Sequence, residues 1–383
     1  MKSYFDLIIV SREPFPEGMA ATNRIKAYAS YIAQEKKVLF LTTSGPEYFV
    51  KDPAPKSGTY NNISYQYIGD KELSGKPSAL LRLLYIIRRQ TLLILLLLFR
   101  YRCRSLLLVS RSSLLMIILR LITCMMHTKF YRETSETPLK TSNILKKNYF
   151  IYVHKIFDGI IVISQNMRYY YSSIKDDSKF FVLPVMVDHT KFNDYKKVKK
   201  EPFFFYCSGS NLERDGFLDS IRAFVEFRKT NNHYRLLIAT QLDLSQDYHR
   251  KIKDIIDNNK DSIEYLGRIS HEEISQYLMK ASALLLTPHH NYETRGFPTK
   301  LAEYFMSGTP VICSAIDDLK CEIDDSCVYM TQPNNISDIA SAMTAIVNDI
   351  RKAQEVGEKG REVAFNKFTM EGYKKSIIEF LKI

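Results

Sequence analysis

One stretch, residues 283 to 312, restricts this chain to a narrow class of folds. Ala283-Leu284-Leu285-Leu286 is an uninterrupted apolar run, the pattern of a strand buried on both faces of a parallel sheet. A polar loop leads out of it from Thr287 to Glu293. Gly296 permits a tight turn, and Pro298 sits where a helix can begin. The helix is predicted from Pro298 to Met306, stopping near Gly308, and Pro310-Val311-Ile312 opens the next strand. Strand, loop, helix, strand is the repeat of a parallel α/β sheet, which binds ligands at the carboxyl ends of its strands. Free N–H groups at the helix start favour phosphate there. Lys300 adds a positive charge, and Glu303, one turn on, is placed to accept two hydrogen bonds from a diol such as a ribose. The same residues would also make an ordinary strand-turn-helix with a solvated Lys and Glu.

The local string resembles the donor-binding motif of glycosyltransferase family 4. That motif is a Glu, a Gly-Phe pair and a helix carrying a second Glu eight positions after the first. Gly296, Phe297 and Glu303 fall on matching positions, and Phe297-Pro298-Thr299-Lys300-Leu301-Ala302-Glu303-Tyr304 resembles the variant of bacterial polysaccharide transferases. Arg295 stands where the family has its first Glu, and Glu293 is the carboxylate nearest to replace it. The resemblance implies the α/β GT-B fold: two Rossmann-like doubly wound domains facing across a cleft, with a C-terminal helix crossing back to the first. It also implies a retaining, metal-independent transfer from a nucleotide sugar, with no cofactor.

The chain has 383 residues, enough for two domains of ordinary size. Its net charge of +12 calls for an anionic partner, whether nucleotide phosphate, anionic lipid or nucleic acid. The six cysteines (103, 124, 207, 313, 321 and 327) form no Cys-x-x-Cys pair and no zinc spacing, and most are expected as buried thiols of a reducing cytoplasm. No signal peptide is expected, because Met1 to Asp6 leads directly into a strand.

The first half opens as a βαβ unit: strand 5–11, helix 22–34, strand 37–42. Gly18 and Arg24, in the order Pro-x-x-Gly, small residues, Arg, resemble the first loop of family 4 transferases, which borders the acceptor and the donor phosphates. Residues 76 to 132 carry eleven Lys or Arg and no Asp or Glu, interleaved with Leu and Ile. A helix is expected from Ser78 to Arg100, a strand from Leu106 to Val109, and a helix from Ser113 to Met126. A core helix with snorkelling arginines is one reading of this segment. An amphipathic, basic face on anionic lipid headgroups is the other, favoured by the absence of acids. Glu133 and Glu136 follow the next strand and could bond sugar hydroxyls or cap a helix.

Residues 193–202 are polar and lysine-rich and are expected as an interdomain linker between a domain of residues 1–192 and one of residues 203–366; residues 367–383 are the crossing helix. After strand 203–207, the loop from Ser208 to Gly216 is a phosphate-loop candidate, with Gly209 allowing close approach. The resemblance places basic residues where this chain has Ser210 and Asp215, leaving Arg214 and Lys300 as the cations for a diphosphate. It also sets Arg268 in a turn that borders the nucleotide base.

The resulting expectation is a glycosyltransferase. Glu293, Arg295, Lys300 and Glu303 form its catalytic set. Gly209, Ser210, Arg214, Arg268, Gly296, Phe297, Pro298 and Thr299 hold the donor, while Gly18, Arg24, Glu133 and Glu136 lie on the acceptor side. The expected acceptor is a lipid-linked saccharide for capsule, O-antigen or a similar surface polysaccharide. The expected location is the inner face of the cytoplasmic membrane. Three other readings compete: an inactive homologue that binds membrane or a partner, a sugar-nucleotide epimerase, and a nucleic-acid binder. The last lacks the interleaved stacking aromatics that such proteins use.

Overall fold

The computed structural model describes residues 2–18, 20–45, 55–69, 78–109, 113–134, 151–152, 154–172, 176–208, 211–289, 299–316, 319 and 323–383. It divides into two compact units, one of residues 1–186 with 370–383 and one of residues 187–369.

Eight strands form the sheet of the first unit: β1 Ser3–Ser11, β2 Val38–Thr42, β3 Ser57–Tyr60, β4 Ile63–Tyr67, β5 Tyr101–Val109, β6 Lys129–Thr134, β7 Gly159–Val162 and β8 Phe180–Val182. Their order is β3-β4-β2-β1-β5-β6-β7-β8. Leu7, Ile8, Ile9 and Val10 of β1 are at most 1% exposed, so this strand is buried on both faces and reads as a continuous apolar run. Only β3 runs antiparallel, paired with β4 across Asn61-Asn62. Both asparagines take left-handed φ values, 44° and 65°, as a two-residue hairpin requires. Without β3 the order is that of a doubly wound sheet, whose direction of growth reverses between β1 and β5.

Helices with both ends among the described residues before the chain's passage to the second unit are α1 Ala20–Ile32, α2 Ala79–Leu95, α3 Ser113–Met125 and α4 Gln165–Ser172. Leu93, Leu115, Leu119 and Met167 bring α2, α3 and α4 onto one face of the sheet, against Ile8 and Leu106. On the other face, Ile25 and Tyr28 of α1 meet Ile377 and Leu381 of the C-terminal helix Lys374–Leu381 over Leu7, Ile9 and Leu107. A wide turn of π-helix, Leu96–Arg100, continues α2, and β5 starts at Tyr101, earlier than the expected Leu106. Buried Tyr101 and Cys103 alternate there with exposed Arg102 and Arg104. This is a half-buried strand whose arginines hid the pattern.

Among the described residues the second unit has six parallel strands: β9 Phe203–Cys207, β10 Arg235–Ala239, β11 Ile263–Gly267, β12 Ala283–Leu286, β13 Val311–Ser314 and β14 Tyr329–Thr331. The order β11-β10-β9-β12-β13-β14 is again doubly wound and reverses between β9 and β12. Its helices with both ends among the described residues include α5 Phe217–Arg228, α6 Asp247–Asn258, α7 His271–Lys280, α8 Thr299–Met306, α9 Ile336–Asn348 and α10 Ile350–Lys367.

Residues 193–202 are part of this unit rather than a linker of their own. Tyr195 donates from its hydroxyl to Glu358 Oε2 at 2.8 Å, and the Arg361 guanidinium lies 3.9 Å from its ring centroid. Lys200 Nζ donates to the Met279 carbonyl at 2.8 Å and to Thr309 Oγ1. A ring and a lysine stem supply packing that a count of charges does not register.

Gly216 precedes α5 with φ 70°, and a Cβ on it would lie 1.7 Å from the Thr287 carbonyl oxygen. The loop after β9 and the loop after β12 thus touch backbone to backbone. Gly216→Ala is expected to destabilise the protein by roughly 2 kcal/mol or more, since left-handed φ and a backbone clash add. Ile377→Ala should cost about 3 kcal/mol by emptying a fully buried site under the C-terminal helix. Urea unfolding of each variant checks both values, and an unchanged midpoint for either would contradict the packing described.

Candidate active site

In the second unit the reversal point puts the carboxyl ends of β9 and β12 side by side, with Ala283 in register with Phe204 and Leu284 with Phe205. The chain leaves β9 through Cys207 and Ser208, and leaves β12 through Thr287, Pro288 and His289. Thr287 Oγ1 donates to the Gly216 carbonyl at 3.2 Å and shares a 2.6 Å hydrogen bond with Ser220 Oγ. The His289 amide donates to the Arg214 carbonyl at 3.0 Å, and its Nε2 lies 2.9 Å from Asp219 Oδ2. These bonds fasten both loops to the first turn of α5.

Helix α8 brings its side chains to the same place. Lys300 Nζ donates to the Cys207 carbonyl at 2.7 Å and lies 3.0 Å from its Sγ. One turn on, the fully buried Tyr304 hydroxyl accepts from the Cys207 amide at 3.1 Å and donates to its carbonyl at 3.2 Å. Burial holds the Tyr304 phenol well above its ordinary range, so it stays protonated. Glu303, between them and half-buried, has no hydrogen bond or ion pair with its carboxylate among the described residues. The ammonium of Lys300 and the open carboxylate of Glu303 therefore share one end of α8, beside the loop after β9.

Arg214 is differently placed from the expectation of a free cation. Its Nε donates to Asp215 Oδ1 at 2.8 Å and its Nη2 lies 2.7 Å from the same oxygen. Asp215 Oδ2 accepts from Ser208 Oγ at 2.8 Å. The aspartate that departs from the resemblance thus holds the arginine against the loop. Arg268 is exposed and follows Gly267, whose φ is 68°. Thr299 begins α8. Gly209, Ser210, Glu293, Arg295, Gly296, Phe297 and Pro298 lie outside the described residues.

In the first unit, Arg24 and Glu133 meet each other. Arg24 Nε donates to Glu133 Oε1 at 2.5 Å, and its Nη atoms donate to the Leu183 and Pro184 carbonyls. Tyr28 donates to Glu133 Oε2 at 2.6 Å. The buried carboxylate is thereby supplied with charge-assisted bonds, and Arg24 ties α1 to β6 and to the residues after β8. Gly18 is demanded by close packing, since a Cβ there would lie 2.1 Å from Thr22 Oγ1, which donates to the Pro14 carbonyl at 2.9 Å. His154, read from sequence as structural, is buried with Nε2 3.1 Å from Arg132 Nη1. Glu136 lies outside the described residues.

Sequence reasoning missed Tyr304, Cys207, Thr287, His289 and Asp219. Tyr304 was the most accessible of these, because it stands four residues after Lys300 and so shares its helix face.

Residues 188–363 match the family model for glycosyl transferases group 1. The uncharacterized glycosyltransferase MJ1178 of Methanocaldococcus jannaschii is 27% identical over 125 residues, 32% of this chain and 34% of that one. The chain thus spans about a third of the length of that curated relative. Among solved structures, sucrose-phosphate synthase from Thermosynechococcus elongatus superposes with a TM-score of 0.74 at 15% identity, covering 98% of each chain. Anabaena Alr3699/HepE in complex with UDP and glucose superposes with a TM-score of 0.70 at 11% identity, covering 99% of each. The α/β GT-B fold anticipated from the motif residues is the fold of this chain, and the match to the group 1 glycosyl transferase model falls on the second unit.

Proposed function

We propose that the chain is a retaining, metal-independent glycosyltransferase that takes its sugar from a nucleoside-diphosphate donor held by the second unit. The observation that carries this reading is the pairing of Lys300 and Glu303 on α8 at the reversal point of the sheet. A cation anchored on the Cys207 carbonyl suits a diphosphate, and an unengaged carboxylate one turn away suits the ribose diol. The match over residues 188–363 and the UDP and glucose bound by the Anabaena protein support the donor class.

In the reaction, the bond from the sugar's anomeric carbon to the diphosphate oxygen breaks. A bond to the acceptor oxygen forms on the same face, through an oxocarbenium-like transition state. The acceptor's proton passes to the leaving oxygen. Lys300 and Arg214 contribute by stabilising the charge that grows on the diphosphate. Glu293 or Arg295 is assigned to the sugar hydroxyls.

The acceptor in this reading is a lipid-linked saccharide in surface polysaccharide synthesis, met at an anionic membrane surface by residues 76–132. Eleven cations without one acid in that segment support the surface. A second reading, an inactive homologue, draws on the Arg214–Asp215 pair, which neutralises a cation that the diphosphate would use.

A thermal-shift screen with nucleotides and nucleotide sugars separates the two. A donor at 100 times its Kd should add about 2.7 kcal/mol of stability. Glu303→Ala and Lys300→Met should each weaken donor binding roughly 10- to 100-fold, as expected for loss of a charged hydrogen bond. No shift with any nucleotide would favour the inactive homologue, and full transfer by Glu303→Ala would overturn the site assignment.

A further inference from the structure

Helix α2 leaves exposed the apolar residues that a helix on a water-exposed surface would bury. Such a helix buries its apolar stripe and shows its charges. On α2, Leu80, Leu84, Ile87 and Leu95 recur at the spacing of one helix face and are 66%, 56%, 50% and 44% exposed. Arg89, by contrast, is 8% exposed, with its guanidinium 3.8 Å from the Tyr85 ring centroid. Apolar burial in the sheet core begins only at Leu93 and Leu97. Phe99 in the wide turn is 71% exposed, and Leu121 and Met125 of α3, which packs on the same sheet face, are exposed as well.

The charges that residues 76–132 themselves contribute are of one sign. Arg82, Arg100, Arg102 and Arg104 are exposed, and no acid occurs between residues 76 and 132. Two copies of the chain meeting here would bring arginines together with no carboxylate from the segment between them. A nucleic acid would pair the arginines and leave the leucines in water. An anionic lipid leaflet accommodates both, with acyl chains around the leucines and headgroup phosphates on the arginines. Among the described residues no helix is long and apolar enough to cross a membrane.

We infer that α2 enters the acyl region of one anionic leaflet with its Leu/Ile side, so that insertion as well as headgroup attraction anchors the first unit. The inference rests on the membrane-surface reading above and adds depth to it. Attachment of this kind resists salt, because the apolar contribution is not screened.

The chain contains no tryptophan, so one introduced indole reports alone. Leu84→Trp and Phe99→Trp place it on the inserted side, and Phe365→Trp places it on exposed α10 of the second unit. Each variant is mixed with phosphatidylcholine–phosphatidylglycerol vesicles carrying bromine on their acyl chains. Quenching is expected for the first two and not for the third, and it should persist at 1 M salt, where the Debye length is about 3 Å. Leu84→Glu combined with Ile87→Glu should lower vesicle partitioning at least about tenfold while leaving thermal melting unchanged. Vesicle binding that salt abolishes, without quenching at positions 84 and 99, overturns insertion and leaves headgroup binding standing. No binding to these vesicles at any salt overturns both.

Discussion

The candidate site depends on one backbone group, the carbonyl of Cys207. It ends a central strand at the point where the second sheet reverses its direction of growth. It accepts from Lys300 at 2.7 Å and from Tyr304 at 3.2 Å, and the neighbouring amide donates to the same tyrosine. Two residues a turn apart on α8 therefore register that helix on β9. Glu303, between them, is carried to its position by bonds it does not itself make. An unpaired strand-end carbonyl would be costly in so buried a setting. Here the groups that satisfy it also bring the side chains of the candidate site to the strand end.

A second consequence of that geometry is electrostatic. Three carboxylates, Asp215, Asp219 and Glu303, stand near Arg214, Lys300 and His289. Two of the carboxylates already have partners, Arg214 for Asp215 and His289 for Asp219. These pairs hold the loops after β9 and β12 in place. Lys300 and Glu303 take part in neither pair.

Most of the elements were legible because their residues signal locally. Continuous apolar runs such as Leu284-Leu285-Leu286 and Phe203 to Cys207, short and bounded by polar loops, read as strands buried on both faces, and α8 was framed by Gly308 and Pro310. What escaped was of two kinds. Some signals were present but unread: Asn61-Asn62 is a hairpin turn, and the alternation of Tyr101, Arg102, Cys103 and Arg104 is a half-buried strand. Other features have no local signal at all. Arg24 and Glu133 are 109 residues apart in the chain, and each alone reads as a side chain available to ligand. Tyr195 looked like part of a linker because its partners, Glu358 and Arg361, come more than a hundred and sixty residues later.

The second unit begins at Val187 and ends at Thr369, and the amide of Val187 donates to the carbonyl of Phe368 at 2.8 Å. Its entry and exit are thus bonded neighbours, and the whole unit is an excursion between two parts of the first. A module with adjoining ends can be lifted out or exchanged without stretching the chain that hosts it. The second unit is in that sense a separable module. The first unit could carry a different module between Met186 and Met370 while keeping its sheet, its C-terminal helix and its outward-facing leucines intact.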